Sequence, residues 1–429
     1  MESTGEAGQA IGPEEIVRRL VAGTPPALVD GRRILVLTPD ATRTCPLPML
    51  VDAMNRAFGE RAAALDFMVA VGTHTPLEEP QVLALYGIGP ADRGRFARSR
   101  FLSHRWDVPG TLVNVGWLEE DEVAALSGGR LRERVPVEIN RAVFDHDLVF
   151  ILGPVFPHEV AGYSGGAKYL FPGISGGELL HFFHWLGAVI TCAGIIGRRD
   201  TPVRRVIHAS MARVPRTIHC AALVVDHAAA VRGLFVGSAE GAWAQAAALS
   251  ATLHVRRVPR PFHTVLGHAA TLYDELWTAG KVMYKLEQVV ADGGELVLYA
   301  PHVRALSRTW GEQILRVGYH VRDYFLKQPG RYDHIPRGVL AHSTHVKGVG
   351  KYDAGAGVET PRITVTLATG IPEAECRAVN LGYRDPRSID VADWQNREDD
   401  GLLYVPKAGE TLYRLKNDPF AIPQRRTPS

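Results

Sequence analysis

The feature that most restricts this chain is the alternation, across its first half, of short apolar runs with helix-patterned segments. The run at 33–39, RILVLTP, reads as a strand, and a helical pattern follows over 47–58. A second strand at 65–71 leads into Gly72, Thr73 and His74, and a helix pattern over 78–86 succeeds it. A further buried strand is predicted at 147–152, running through Pro154 into a glycine-rich stretch. Apolar strands alternating with helices suit a largely parallel sheet covered on both faces. In such sheets ligands collect beyond the strand ends. Asp40 and Arg43 follow the first strand, His74 the second and His158 a later one, so three chemically capable sites are expected at one edge.

The polar, proline-punctuated segment 256–262, RRVPRPF, is the preferred boundary. We therefore expect two α/β domains, 1–258 and 259–429, with largely parallel sheets and a site in the cleft between them. In the second, strands are predicted at 264–267, 295–300, near 339–342 and at 362–367. Helices are predicted at 274–290 and 311–326, with a turn at Asp292-Gly293-Gly294. The tail from Asn417 reads as a surface arm.

Composition excludes several classes of function. With 46% hydrophobic and 22% charged residues the chain is a folded globular protein, and a formal charge of +2 gives no reason to expect nucleic acid. Arg204 and Arg205 read as a solvated helix face. Cys45, Cys192, Cys220 and Cys376 form no C-x-x-C pair, which points to a reducing compartment without disulfides. The first residues carry no secretion signal, and no run reaches the roughly 18 apolar residues of a membrane span. A cytoplasmic protein without a membrane partner is expected.

The informative stretch is 153–187, GPVFPHEVAGYSGGAKYLFPGISGGELLHFFHWLG. Ser164, Gly165 and Gly166 let the backbone approach a ligand closely, and Lys168 adds a cation beside an anion cradle. The glycine spacing is neither that of a P-loop nor that of a dinucleotide fingerprint. His181 and His184 share a helix face at i and i+3, where two imidazoles can meet a metal or simply pack. Taken singly, His158 reads equally as a strand-end histidine, and Lys168 as a solvated lysine.

Together these residues resemble the nickel-dependent lactate racemase family. The resemblance rests on PHEVAGYSGGAKYLFPG with a downstream histidine, on DATRTCP at 40–46 and on GTH at 72–74, and it continues through 274–294. It implies a nickel pincer nucleotide, pyridinium-3,5-bisthiocarboxylic acid mononucleotide, joined covalently to Lys168, with His184 as the protein ligand to nickel. It implies cofactor contacts from Asp40, Thr42, Tyr163, Ser164, Gly165 and Gly166. His74 and His158 match a pair of histidines that exchange proton-transfer roles as hydride moves to the cofactor and back. Two are needed because a racemase must treat both enantiomers alike, and imidazole works in either direction near neutrality.

Arg43 is the candidate fork for a substrate carboxylate. Lys281, beside Trp277 and Thr278, matches a family lysine that approaches the substrate. The implied activity is inversion at C2 of a 2-hydroxy acid, and the implied partners are that acid and the enzymes that build the cofactor. Two departures bear on the substrate. Thr75 stands where lactate-processing members carry Arg, and Thr278 where they carry Gln. Smaller polar residues favour a longer, hydroxylated acid of the aldonate type over lactate. His181, His342 and His345 receive no role; the segment from His342 to Lys347 offers polar groups within reach of the cleft and reads equally as a surface loop. Two other readings stay open: a zinc hydrolase using His74, His158 and His184, and a non-catalytic nucleotide- or anion-binding module.

Overall fold

A computed structural model describes residues 9–72 and 74–420. Thr73, the first residues of the N-terminus and the end of the C-terminal arm lie outside the described residues. Two main sheets organise the chain. Across the first, the strands run in the order Val231–Ser238, Thr217–Val225, Leu148–Pro154, Arg33–Thr38, Ala64–Val69, Phe101–Ser103. All neighbours are parallel except Val231–Ser238 against Thr217–Val225. Ile34 and Val36 face one apolar cluster while Leu35 and Leu37 face another, and all four are fully buried. Double burial explains why this strand shows no polar alternation.

The second sheet runs Gly382–Tyr383, Thr364–Thr369, Val290–Ala300, Phe262–Ala269, Leu402–Ala408, and every pairing is parallel. Its core continues into Trp185, Ala188 and Cys192, so the helix Gly177–Ile190 packs against the second sheet's unit. In particular it lies against the helix Arg337–Lys347.

Several sequence expectations are corrected. The segment near 339–342 is not a strand but the middle of the helix Arg337–Lys347, whose residues Gly338 to Val346 are all buried. A short apolar run is ambiguous between buried strand and buried helix, and tertiary packing decided it. The helix expected over 274–290 is broken into Leu276–Ala279, Lys281–Leu286 and a 3₁₀ turn at Glu287–Val289. Asp292-Gly293-Gly294 is no turn but part of the strand Val290–Ala300, with a register irregularity opposite Phe262 and Gly293 at φ +74°. The helix expected over 311–326 is interrupted at Gly318, φ +75°. The polar segment at the expected boundary overlaps the strand Val255–Val258, which pairs in parallel with Leu412–Leu415 near the C-terminus.

Arg204 is not solvated. It is 2% exposed, lies 4.2 Å from the Trp243 ring centroid and donates to the carbonyls of Tyr163 and Gly165. No described helix is long and apolar enough to cross a membrane.

Candidate active site

The chain leaves Arg33–Thr38 for the strand on one side and later returns through Leu148–Pro154 on the other. The splayed loops at such a switch point open a crevice. Pro39, Asp40 and Arg43 stand at one lip and His158 at the other. The second sheet has the corresponding arrangement between Phe262–Ala269 and Leu402–Ala408. The two crevices meet: Lys281 Nζ donates to the Thr42 carbonyl at 3.3 Å, and Thr44 donates to the Glu410 carboxylate.

A cavity of ≈ 120 Å³ lies there, lined by residues of both units. It brings together Asp40, Thr42, Arg43, His74, His158, Ser164, Gly165, Lys168, His184, Trp277, Thr278 and Lys281. Tyr163 and Gly166 do not line it. The Tyr163 side chain belongs to the apolar core, and a Cβ on Gly166 would stand 2.9 Å from Trp243. His181 is also outside, its ring edge against Trp310 and its Nδ1 accepting from the Gly338 amide at 3.3 Å.

The two strand-end histidines differ in what holds them. His74 Nδ1 hydrogen-bonds Asp40 Oδ2, while Asp40 Oδ1 accepts from the Thr42 amide at 3.1 Å and the Thr42 hydroxyl at 2.7 Å. Burial alone would raise the Asp40 carboxyl, but His74, Thr42 and Arg43 hold it well below the usual carboxylate range. An ionised Asp40 accepts the hydrogen bond of Nδ1–H, the tautomer whose neutral ring carries its lone pair on Nε2. Trp106 Nε1 donates to the His74 carbonyl at 3.2 Å and fixes the loop from outside.

His158 is 3% exposed, and its Nδ1 accepts from the amides of Val160 at 3.1 Å and Ala161 at 3.4 Å. That network puts the single proton of the neutral ring on Nε2. Burial, then the charges of Lys168 and Arg43, push its pKa well below the ordinary value.

Burial and the neighbouring Arg43 bring the Lys168 ammonium down to about 7, and the same causes bring Lys281 to about 7. Glu159 also lines the cavity, and Arg43 with its own backbone amide outweighs the effect of burial to keep it charged. Arg43 has no carboxylate within ion-pair distance among the described residues, so its guanidinium does not pair with Asp40. His184 Nδ1 donates to the Leu180 carbonyl at 2.7 Å, and burial lowers its pKa to about 4.

Two hydroxyls expected to cradle a ligand are engaged elsewhere. Ser164 Oγ accepts from the Phe156 amide at 2.9 Å, and Thr42 Oγ1 serves Asp40. Conversely, Glu159, Tyr169, Tyr284, His342 and His345 line the cavity. The i, i+3 spacing of His342 and His345 was the available signal for those two, masked by the equal reading of their segment as a surface loop. Glu159 adjoins His158 and was legible only as its neighbour. Among the described residues no three His, Cys, Asp or Glu side chains converge to hold a metal, so the three-histidine zinc arrangement does not form.

Comparison with known proteins accords with this geometry. The lactate racemase N-terminal domain family matches residues 24–193. A lactate racemase from Thermoanaerobacterium thermosaccharolyticum is 24% identical over 284 residues, 64% of this chain. The match spans 61% of that relative's length. A Thermotoga maritima protein of known crystal structure is 31% identical and superposes with a TM-score of 0.87, over 96% of this chain and 100% of its own. The lactate racemase apoprotein from Thermoanaerobacterium thermosaccharolyticum has the same fold, with a TM-score of 0.69 at 17% identity over 94% of this chain and 93% of its own. With the motif segment, the crevice and these relatives in agreement, the chain carries the N-terminal domain of the lactate racemase family over residues 24–193 and shares the fold of a lactate racemase.

Proposed function

We propose that this protein is an isomerase that inverts C2 of a 2-hydroxy acid, with residues 1–258 holding the cofactor and 259–429 completing the substrate cleft. The observation that carries the reading is the pair His74 and His158 on one cavity with Arg43 and Lys281. One ring presents a lone pair and the other an N–H, beside cations suited to a carboxylate.

The donor set fits a nickel pincer nucleotide. His184 is a neutral imidazole near pH 7 whose Nδ1 proton is fixed on a backbone carbonyl, leaving Nε2 as a ligand. Lys168 is half-buried on the cavity and, at about 7, partly unprotonated at neutral pH, as an amine that must be acylated requires. When bound, such a cofactor supplies the carbon that reversibly accepts the substrate's α-hydrogen as hydride.

The protein's share is binding, orientation and proton transfer. Arg43 holds the substrate carboxylate in a fork, and Lys281 braces the cleft from the second unit. His74 Nε2 takes the hydroxyl proton, and Asp40 stabilises the imidazolium that results. His158 Nε2–H donates to the C2 oxygen from its own position. An anionic substrate on Arg43 and an acylated, uncharged Lys168 would weaken the two charges that hold down the His158 pKa. Protonating the ring, as the return of a proton to the opposite enantiomer requires, also needs Nδ1 to release the Val160 and Ala161 amides.

Two orphaned atoms support a reading of the substrate class. His342 Nδ1 and His345 Nε2 are buried without a hydrogen-bond partner, and both residues line the cavity. Such atoms favour an acid with further hydroxyls, of the aldonate type, over lactate. The test is to produce the protein with the cofactor-building enzymes and screen 2-hydroxy acids for inversion at C2. A mass increase on Lys168, nickel lost in His184→Ala, and product α-carbon unlabelled in deuterated water are expected. Strong solvent labelling at that carbon would overturn the hydride reading.

A further inference from the structure

Behind the Ser164–Lys168 loop lies a second cavity, of ≈ 1110 Å³, that the proposed reaction does not use. Its chemistry is one-sided. Arg130, Arg198, Arg199, Arg204, Arg205 and Arg414 line it, drawn from segments far apart in sequence. Asp200 is the one carboxylate among its lining residues, and it pairs with Arg205 at 2.9 Å. Asp418 pairs with both Arg198 and Arg414. Among the described residues, Arg130, Arg199 and Arg204 have no carboxylate within ion-pair distance.

Arg204 is the informative member. It is 98% buried, its guanidinium meets the carbonyls of Tyr163 and Gly165 and the face of Trp243, and its Nε has no hydrogen-bond partner. A buried cation without a counter-charge, with a donor left unsatisfied, is costly unless something anionic completes it. The helix Pro202–Met211 also begins at this cavity, so its positive end adds to the field.

We propose that this cavity is a phosphate-type anion site, distinct from the cavity lined by Lys168 and His184. Planar guanidinium forks match phosphate oxygens, and the volume accommodates anything from pyrophosphate to a nucleoside diphosphate. Because Arg204 also holds the Tyr163 and Gly165 carbonyls, the site backs directly onto the loop that carries Lys168.

The test is calorimetric titration of the full-length protein with pyrophosphate and, separately, with ADP. Arg130→Gln/Arg199→Gln changes only exposed arginines, so the fold is retained. It is expected to weaken binding by at least about 10-fold, and added salt should weaken it further. Arg43→Gln, at the other cavity, is expected to leave binding unchanged. Tighter binding of ADP than of pyrophosphate would assign a nucleotide; equal binding would assign the phosphate groups alone. Absence of binding in the low-millimolar range, or loss of binding in Arg43→Gln with retention in the double variant, would overturn the proposal.

Discussion

The Asp40 carboxylate hydrogen-bonds His74 Nδ1 with one oxygen and is itself fixed by Thr42 through the other. The pair spans two neighbouring parallel strands, since Asp40 follows Arg33–Thr38 and His74 follows Ala64–Val69. Register between those strands is therefore what sets the direction of the His74 lone pair. Asp40→Asn keeps the size of the side chain but removes the charge that stabilises an imidazolium. We expect kcat to fall by about 10²-fold or more, with KM changing little. Steady-state kinetics on the loaded enzyme checks this. A raised KM with unchanged kcat would instead assign Asp40 to binding.

His158 gives a prediction that needs no cofactor. Its Nδ1 accepts two backbone amides, so the ligand-free ring is expected to be neutral with its proton on Nε2. Burial, Lys168 and Arg43 all oppose a second proton. Nitrogen-15 NMR of labelled protein should show that tautomer unchanged from pH 8 to pH 6, near the roughly 6.5 at which a free histidine titrates. A ring that protonates in that interval would remove the asymmetry between the two histidines.

Two buried lysines and the half-buried Lys168 set a stability profile. Burial lowers Lys168 and Lys281 to about 7 and Lys285 to about 8, from an ordinary value of 10.5. Between those values the unfolded chain binds protons that the folded chain does not, so stability rises with pH. The gain is cut off from above, because burial raises the thiols of Cys45, Cys192 and Cys220 from 9.0 and the unfolded chain then loses protons first. The melting temperature of the cofactor-free protein should therefore climb from about pH 7 to about pH 8.5. Lys168→Met should flatten that climb, and an unchanged slope would mean the amine is not desolvated.

The first sheet was legible because strand burial on both faces writes an apolar run, and turn chemistry marks where each run stops. Leu47–Phe58 was predicted with the bounds the structure has, since its apolar spacing and leading prolines agree. The second unit was less legible. There the helix Arg337–Lys347 is buried over nearly its whole length, which erases the periodic stripe that distinguishes a helix. The site followed the same division. Asp40, His74 and His158 sit at strand ends that hydropathy locates. Arg204 was misread because a buried arginine held by backbone carbonyls looks, in sequence, like a surface one. Ser164 lines the cavity, but its hydroxyl serves the Phe156 amide.

His342 stacks on Trp277 at a centroid distance of 4.1 Å, and its Nε2 hydrogen-bonds the Trp277 carbonyl at 3.2 Å. This contact ties the helix Arg337–Lys347 to the segment that carries Thr278 and Lys281. His345, one turn on, packs its ring edge against Tyr284 at 5.7 Å. His342 Nδ1 and His345 Nε2 are each buried without a hydrogen-bond partner. An unpaired buried donor or acceptor costs about 1–3 kcal/mol, so His345→Leu should stabilise the cofactor-free protein, by about 1 kcal/mol. In the loaded enzyme the same change should lower kcat/KM for a polyhydroxylated 2-hydroxy acid by about 10-fold or more, while leaving that for lactate nearly unchanged. Denaturant unfolding and paired substrate kinetics on one variant read both effects. Equal loss with the two substrates would show that His345 supports the cleft rather than selecting what enters it.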